Sequence, residues 1–143
     1  MPYQYLEDIA IADAAFEASG ENLQEVFISA ANAVMNLMVE NMEAIAKDTS
    51  VEIAVEDANM DLLLFKFLDE LIYHKDAHQL LLRIESLRIA ETANGFLLRA
   101  ETWGEVIDPQ KHHLNVDVKA ITLHEFSLKQ TGNKWIAHVH LDI

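Results

Sequence analysis

The sequence KWIAHVHLDI, residues 134–143, alternates apolar and polar side chains and so predicts a β-strand. One face of this strand is apolar, whereas the opposite face carries polar groups up to the end of the sequence. The apolar face comprises Trp135, Ala137, Val139 and Leu141, and the opposite face comprises Ile136, His138, His140 and Asp142. A strand that stays ordered to its end would hold the Asp142 side chain close to the main-chain carboxylate of Ile143.

The segments upstream of this strand also have the composition of strands and are separated by turn signals. QLLLRIESLRIAET (79–92) and FLLRAETW (96–103) flank the dipeptide Asn94-Gly95, which favours a tight hairpin. LNVDVKAITLHEFSLK (114–129) is joined to the last strand by the turn Thr131-Gly132-Asn133. This half of the chain therefore predicts an antiparallel meander of long strands.

The first half of the sequence contains two strand–helix units. A strand is predicted from Ile9 to Ala18, and a helix from about Leu23, where Asn22 can cap and Glu25 can bond back toward the cap. The buried stripe of this helix is predicted to comprise Leu23, Val26, Phe27, Ala30, Val34, Leu37 and Met38.

The second unit is a strand in SVEIAVE (50–56) followed by a helix in MDLLLFKFLDELIYH (60–74). Its predicted inward residues are Val51, Ile53 and Val55 of the strand and Leu64, Phe67, Leu68 and Leu71 of the helix. The order of elements predicts an α+β fold with two helices packed on a mostly antiparallel sheet or sandwich, as a single domain over residues 1–143.

Composition and charge exclude several classes of function. At 143 residues and 51% hydrophobic, the chain can bury one sizeable core. Its 24 acidic against 10 basic residues give a formal net charge of −14, which disfavours a direct grip on a phosphate backbone. Cysteine is absent, so disulfides, thiolate zinc sites and cysteine nucleophiles are excluded. With no secretion signal and no membrane-length apolar run, we expect a soluble cytoplasmic protein that meets RNA only through another protein or a cation.

Two aspartates are the first candidate site residues. Asp13 lies on a strand of small and apolar residues, so its carboxylate is expected to be partly buried and paired, although a purely structural aspartate would have the same surroundings. Asp142, the terminal carboxylate of Ile143 and a third acid nearby would form an all-oxygen pocket suited to a hard divalent cation. The alternative is that the last strand only completes a sheet.

Histidines and a polar segment provide further candidates. His138 and His140 share a strand face and, with His124, His112 and His113, could form an imidazole zinc site, although exposed strand histidines are common. A polar loop is predicted to contain Gly104, Glu105, Asp108, Pro109 and His112.

Lys119 lies in an otherwise apolar predicted strand, where a buried ammonium would need an anionic partner; a lysine extending from a strand edge is the alternative. The sequence has no glycine-rich phosphate loop, no serine nucleophile elbow and no zinc-protease helix motif, so no motif in it indicates an enzyme.

Two long stretches carry a family resemblance. IADAAFEASGENLQEVFISAANAVMNLM (11–38) resembles the opening of the archease family, with an Ala-Asp pair on the first strand, then a glycine and a helix rich in alanine and methionine. Residues 104–143 resemble the archease C-terminal half, with Gly-Glu, a loop histidine, Val-Lys-Ala at 118–120, Thr-x-His and a final Asp-Ile. The sequence departs from many archeases at Ala10-Ile11, where they have His-Thr, and at Ala15, where they often have glycine.

This resemblance implies a non-catalytic activator of an RtcB-type RNA ligase, the enzyme that joins 2′,3′-cyclic phosphate or 3′-phosphate ends to 5′-hydroxyl ends in tRNA splicing and RNA repair. It implies that the protein promotes guanylylation and repeated turnover of the ligase. It also implies that Asp13, Asp142 and the terminal carboxylate of Ile143 bind a divalent metal ion, with Ca²⁺ expected first and Mg²⁺ or Mn²⁺ as alternatives, and that Lys119 belongs to the functional tip. A metal-dependent phosphohydrolase and a metal-binding scaffold are the competing interpretations.

Overall fold

The computed structural model describes residues 2–6 and 13–143. The helices and strands in these ranges alternate in the first half of the chain and are mostly strands in the second. In chain order they are β1 Tyr3–Tyr5, β2 Asp13–Gly20, α1 Leu23–Met38, a 3₁₀ turn Met42–Ala44, β3 Thr49–Asp57, α2 Met60–His78, β4 Leu80–Thr92, β5 Gly95–Val106, α3 Pro109–His112, β6 Ala120–Thr131 and β7 Lys134–Asp142.

The strands form two antiparallel sheets, one in the order β1-β2-β7-β6 and the other in the order β3-β5-β4. The predicted α+β class, with helices packed on antiparallel sheet, is confirmed. The prediction of one continuous meander is wrong, because the hairpin β4–β5 and the hairpin β6–β7 belong to different sheets. The chain crosses between the sheets at the C-terminal end of α1, where Asn115 N–H and Val116 N–H donate to the Met38 and Leu37 carbonyls. These bonds satisfy carbonyls that a helix end leaves free.

Helix α1 begins at Leu23, as predicted, and its cap follows the sequence signal closely. The Asn22 side-chain oxygen accepts from the Glu25 N–H at 2.9 Å. The Glu25 carboxylate accepts from the backbone N–H of Glu21 at 2.8 Å, one residue earlier than the cap residue itself. Of the predicted stripe, Leu23 and Leu37 are half-buried and the others are buried, namely Val26, Phe27, Ala30, Val34 and Met38.

Helix α2 supplies the second half of the core. Its predicted stripe is fully confirmed, since Leu64, Phe67, Leu68 and Leu71 are all buried. The rings of Phe27 and Phe67 stack at a centroid distance of 6.0 Å and join the two helices. Both helices contact strands of both sheets, so the core lies where the helices meet the sheets. None of the helices in the described ranges is long and apolar enough to cross a bilayer.

Three strands of the sheet β1-β2-β7-β6 differ from the prediction. The strand expected from Leu114 begins at Ala120, because the preceding residues bond to the end of α1 instead of forming a ladder. Of the strand predicted from Ile9 to Ala18, residues 9–12 lie outside the described residues, and β2 runs from Asp13 to Gly20. Strand β1, which pairs with β2 through Tyr3, Gln4 and Tyr5, was not predicted.

Candidate functional site

The sheet β1-β2-β7-β6 places the two candidate aspartates side by side. Asp13 on β2 is the direct antiparallel partner of Asp142 on β7, and Ala120, the first residue of β6, lies opposite Asp142 on its other side. Directly opposed residues share a sheet face, with Cβ atoms roughly 4.5–5.5 Å apart. Strands β2 and β7 therefore bring these two carboxylates together at one end of the sheet, with Ile143 next in the chain.

Asp13 is exposed, so the expectation of a partly buried and paired carboxylate is wrong. It lies on the face of β2 that also carries Glu17, whereas Phe16 and Ala18 on the other face fill the core. Within residues 2–6 and 13–143, the side chains of Asp13 and Asp142 make no hydrogen bond or ion pair. Like charges directly opposed across strands destabilise a sheet, and a bound cation would relieve this repulsion. The donor set, two neighbouring carboxylates, fits a hard divalent cation.

Lys119 lies immediately before β6 and is exposed, which corrects the expectation of a buried ammonium inside an apolar strand. Its backbone N–H donates to the Asp142 carbonyl oxygen at 2.8 Å. The chain segment that carries this lysine is thus attached to the strand end that carries Asp142. An exposed ammonium here needs no buried partner and is available to a binding partner.

A buried lysine that the sequence reasoning missed anchors the same segment. Lys75 of α2 is only 6% exposed, and its ammonium donates to Asp117 Oδ1 at 2.6 Å and to the Val118 carbonyl at 2.9 Å, and pairs with Asp76. Burial lowers the pKa of Lys75, but the hydrogen bonds and charges of Asp117 and Asp76 outweigh it, so its pKa lies above the usual value. The signal was present in the sequence, since Lys75 continues the apolar stripe of α2 four residues after Leu71.

Two residues of the predicted polar loop, Glu105 and His112, form a buried network, whereas Asp108 and Pro109 are exposed. Gly104 and Glu105 belong to β5, and Glu105 is 8% exposed. The Glu105 carboxylate accepts from Lys111 Nζ at 2.7 Å, from His112 Nε2 at 2.6 Å and from the Ala46 N–H at 2.8 Å. These three donors, Lys111 first, lower the pKa of Glu105 to about 2.

The tautomer of His112 follows from its two partners. The backbone N–H of Asp108 donates to His112 Nδ1 at 2.9 Å, so Nδ1 is the acceptor and Nε2 carries the hydrogen that bonds to Glu105. His112 is completely buried. Both ring nitrogens are therefore used within the fold, and His112 is held as a structural residue apart from the aspartate pair.

Of the four other candidate histidines, His113 is exposed at the end of α3, and the remaining three divide into two groups. His138 Nε2 lies 2.8 Å from Glu17 Oε2, its cross-strand partner on β2. His124 and His140 lie together, with ring centroids 5.2 Å apart and Glu125 beside them. The five histidines considered as an imidazole zinc site therefore do not form one site.

Comparison with known proteins gives a consistent result over nearly the whole chain. A sequence profile described as the Archease protein family (MTH1598/TM1083) matches residues 3–143. The chain is 34% identical over 142 residues to protein archease of Pyrococcus abyssi, with 99% of this chain and 96% of the relative covered. It is 30% identical over 142 residues to protein archease of Methanosarcina mazei, with 99% and 95% covered.

Two solved structures share the fold. The solution structure of protein 1598 of Methanobacterium thermoautotrophicum superimposes with a TM-score of 0.86 at 28% identity, covering 99% of each chain. The crystal structure of an archease from Thermotoga maritima, described as a possible chaperone, superimposes with a TM-score of 0.63 at 19% identity, covering 94% of this chain and 93% of the other. At that lower identity the second likeness concerns the fold alone.

Proposed function

The chain belongs to the archease family, and from this premise we propose that it is a non-catalytic activator of an RtcB-type RNA ligase. In this proposal it promotes guanylylation and repeated turnover of the ligase in cytoplasmic tRNA splicing or RNA repair. The names of the matched proteins, archease and possible chaperone, specify no catalytic activity of their own. The observation that carries the proposal is the direct opposition of the Asp13 and Asp142 carboxylates beside the backbone of Lys119.

In this proposal the aspartate pair is a metal site. Asp13, Asp142 and the main-chain carboxylate of Ile143 would hold the ion, and Ca²⁺ is the ion that such a flexible, exposed set of oxygens suits best, with Mg²⁺ or Mn²⁺ as alternatives. A bound divalent ion would supply positive charge and open coordination positions for oxygen atoms of a partner. The protein itself fixes the distance between the two carboxylates, because they lie directly opposite each other on the paired strands β2 and β7. The other face of each strand packs in the core and holds it in place.

The charge of the chain supports a protein partner in place of nucleic acid. A net charge of −14 repels an RNA backbone but complements the basic surface with which an RNA ligase holds its substrate. Complementary charge raises the rate of encounter more than the final affinity. This suits a helper that acts on many ligase molecules in turn, and it predicts that activation weakens as salt concentration rises.

Replacing either aspartate tests the proposal directly. Asp13→Asn and Asp142→Asn each remove one negative charge from an exposed site, so the fold should persist while stimulation of ligase guanylylation is lost. Asp69→Asn is the matched control, because Asp69 is an exposed aspartate of α2 outside the site. The assay is the amount of guanylylated ligase formed with and without each variant. Full stimulation by either folded site variant would refute the assignment.

The competing interpretations are separated by two further measurements. Appending a few residues after Ile143 moves the main-chain carboxylate away from Asp142, so stimulation should fall while the thermal melting curve stays unchanged. Hydrolysis of a phosphoester by the purified protein without ligase would favour the phosphohydrolase interpretation. Tight ion binding with no effect on any matched ligase would favour the scaffold.

A further inference from the structure

Strand β6 contains an unusually large irregularity opposite β7. Thr122 pairs with His140 and Ser127 pairs with His138, so residues 123–126 of β6 are accommodated opposite Val139 alone. Within this bulge Glu125 has a φ of +49°, in the left-handed region. Such a conformation costs a residue with a side chain about 1–2 kcal/mol and is retained where the surrounding structure requires it.

The bulge brings together side chains that a regular strand would separate. In a regular strand the neighbours His124 and Glu125 would point to opposite faces. Here both reach His140, with Glu125 Oε2 3.3 Å from His140 Nε2 and the rings of His124 and His140 nearly perpendicular at 80°. One donor atom from each of the three side chains lies within 4.8 Å of the other two. Two imidazoles and a carboxylate therefore converge on one point.

We propose that His124, Glu125 and His140 form a second metal site, for a divalent transition metal such as Zn²⁺, with three protein ligands and one open position. Two imidazole nitrogens and one carboxylate oxygen are a donor set that zinc accepts readily. Around a tetrahedral zinc ion with bonds of about 2.1 Å, ligand atoms lie roughly 3.4 Å apart. The pair His140–Glu125 already has this spacing at 3.3 Å. His124 has only to close a gap of about 1.4 Å or less, and its side chain is exposed and able to move.

This site differs from the aspartate pair in both chemistry and position. The aspartate pair offers only oxygen atoms, whereas this cluster offers nitrogen donors, which hard cations such as Ca²⁺ disfavour. His140 and Asp142 lie two residues apart on the same face of β7, so the two sites are neighbours with separate ligands. The inference goes beyond ligase activation and does not depend on it.

The competing explanation of the same contacts is an ion pair between Glu125 and protonated His140, with His124 packed against the ring. The two explanations differ in what they predict for His124. An ion pair needs no contribution from a His124 nitrogen and provides no metal affinity. A metal site loses a ligand when His124 is replaced, even though Glu125 and His140 remain in place.

The test is a titration of the metal-free full chain with Zn²⁺ in competition with a chromophoric chelator, together with Co²⁺ absorption spectra that report the ligand geometry. We expect one Zn²⁺ per chain, and a loss of affinity of at least about tenfold in His124→Gln and in His140→Gln. His138→Gln is the matched control, because His138 lies on the same face of β7 but bonds Glu17. Asp69→Asn, at an exposed aspartate of α2 outside both sites, is the second control. Both controls should bind Zn²⁺ as tightly as the unmodified chain.

Three outcomes would overturn the proposal: no stoichiometric Zn²⁺ binding, unchanged affinity in His124→Gln, or an equal loss of affinity in His138→Gln. His124 is exposed, so its replacement should leave the fold intact, and a thermal melt verifies this for each variant. Loss of ligase stimulation plays no part in this readout. Failure of the zinc site would therefore leave the proposed function untouched, and the reverse also holds.

Discussion

Replacing Lys75 by methionine should loosen the segment that leads to Lys119. Lys75 Nζ donates to the Val118 carbonyl at 2.9 Å and to Asp117 at 2.6 Å, and it also pairs with Asp76. Methionine keeps most of the apolar length of the side chain, so little cavity is created. The change therefore removes the ammonium and tests the contacts that it makes.

The magnitude follows from the exposure of each partner. Asp76 and Asp117 are 57% and 67% exposed, so water can replace the ammonium at both carboxylates, and each pair contributes less than about 1 kcal/mol. Val118 is fully buried, and its carbonyl would lose a charged donor, which costs about 1.5–3 kcal/mol. We expect a loss of about 2–3 kcal/mol in the free energy of unfolding. For a chain of this length that corresponds to a decrease in Tm of roughly 6–9 °C.

Urea unfolding and thermal melts of Lys75→Met measure this loss, with Lys66→Met as the matched control. Lys66 lies on the same helix, and its side chain is 50% exposed where it pairs with Asp57 and donates to the carbonyl of the exposed Glu56. Water can replace the ammonium there, so its replacement should cost less than about 1 kcal/mol. Equal destabilisation by the two variants would refute the reasoning. That result would mean that water entering the adjacent cleft of about 180 Å³, which Lys75 lines, satisfies the Val118 carbonyl.

The pH dependence of the same variant gives an independent check. The pKa of Lys75 in the folded protein lies above the usual 10.5. Its stabilising contribution is therefore fully present below pH 10.5 and is lost as the pH rises through the higher pKa of the folded state. The difference in stability between the unmodified chain and Lys75→Met should shrink at alkaline pH. A difference that stays constant across this range would contradict the assignment.

Three other perturbations have outcomes that follow from single contacts. Gly104→Ala should lower the free energy of unfolding by about 3 kcal/mol or more, because the added Cβ would lie 1.7 Å from the Leu81 carbonyl oxygen. Gly132→Ala is the control: no atom lies near its added Cβ, and its φ of +62° alone should cost about 1–2 kcal/mol. Ionised Glu105 stabilises the fold above its usual pKa of 4.5, and this stabilisation is lost as the pH falls through its lowered pKa of about 2. In Glu105→Gln the free energy of unfolding should therefore decrease less over this pH range, as measured by urea unfolding at a series of pH values. Asn22→Ala should cost about 1 kcal/mol by loss of the α1 cap, whereas Asn22→Asp should retain it in the same unfolding assay.

Local elements could be predicted from the sequence because neighbouring residues encode them. The cap at Asn22, the stripe that includes Phe67 and the turn at Gly132 all depend on side chains a few positions apart, and the structure has each of them. The predictions that failed concern residues whose surroundings come from distant segments. Leu114 continues an alternating pattern, yet the residues after it bond to the end of α1, and the Glu105 carboxylate accepts from the Ala46 N–H, 59 positions away in the chain.

The candidate site shows the same division. The sequence could nominate Asp13 and Asp142, but it predicted the wrong exposure for Asp13. Residues of the same strand face differ in exposure, since Asp13 is exposed and Ala15, two positions on, is buried. It could associate the histidines with a possible zinc site, but not choose among them. The bulge in β6 places His124 beside His140, whereas His138 bonds to Glu17 on β2.

By itself, the amino-acid order determined the helices, the hairpin turns, the acidic charge and the residues that carry the family resemblance. Only the tertiary structure decided that the hairpins belong to separate sheets, that β2 pairs with β7, and that Lys75 is buried beside the segment leading to Lys119. The physical reason is the distance along the chain over which each kind of interaction acts. Periodicity and capping act within a few residues, whereas strand partners, bulges and buried charges are chosen by packing and hydrogen bonding between segments far apart in the chain.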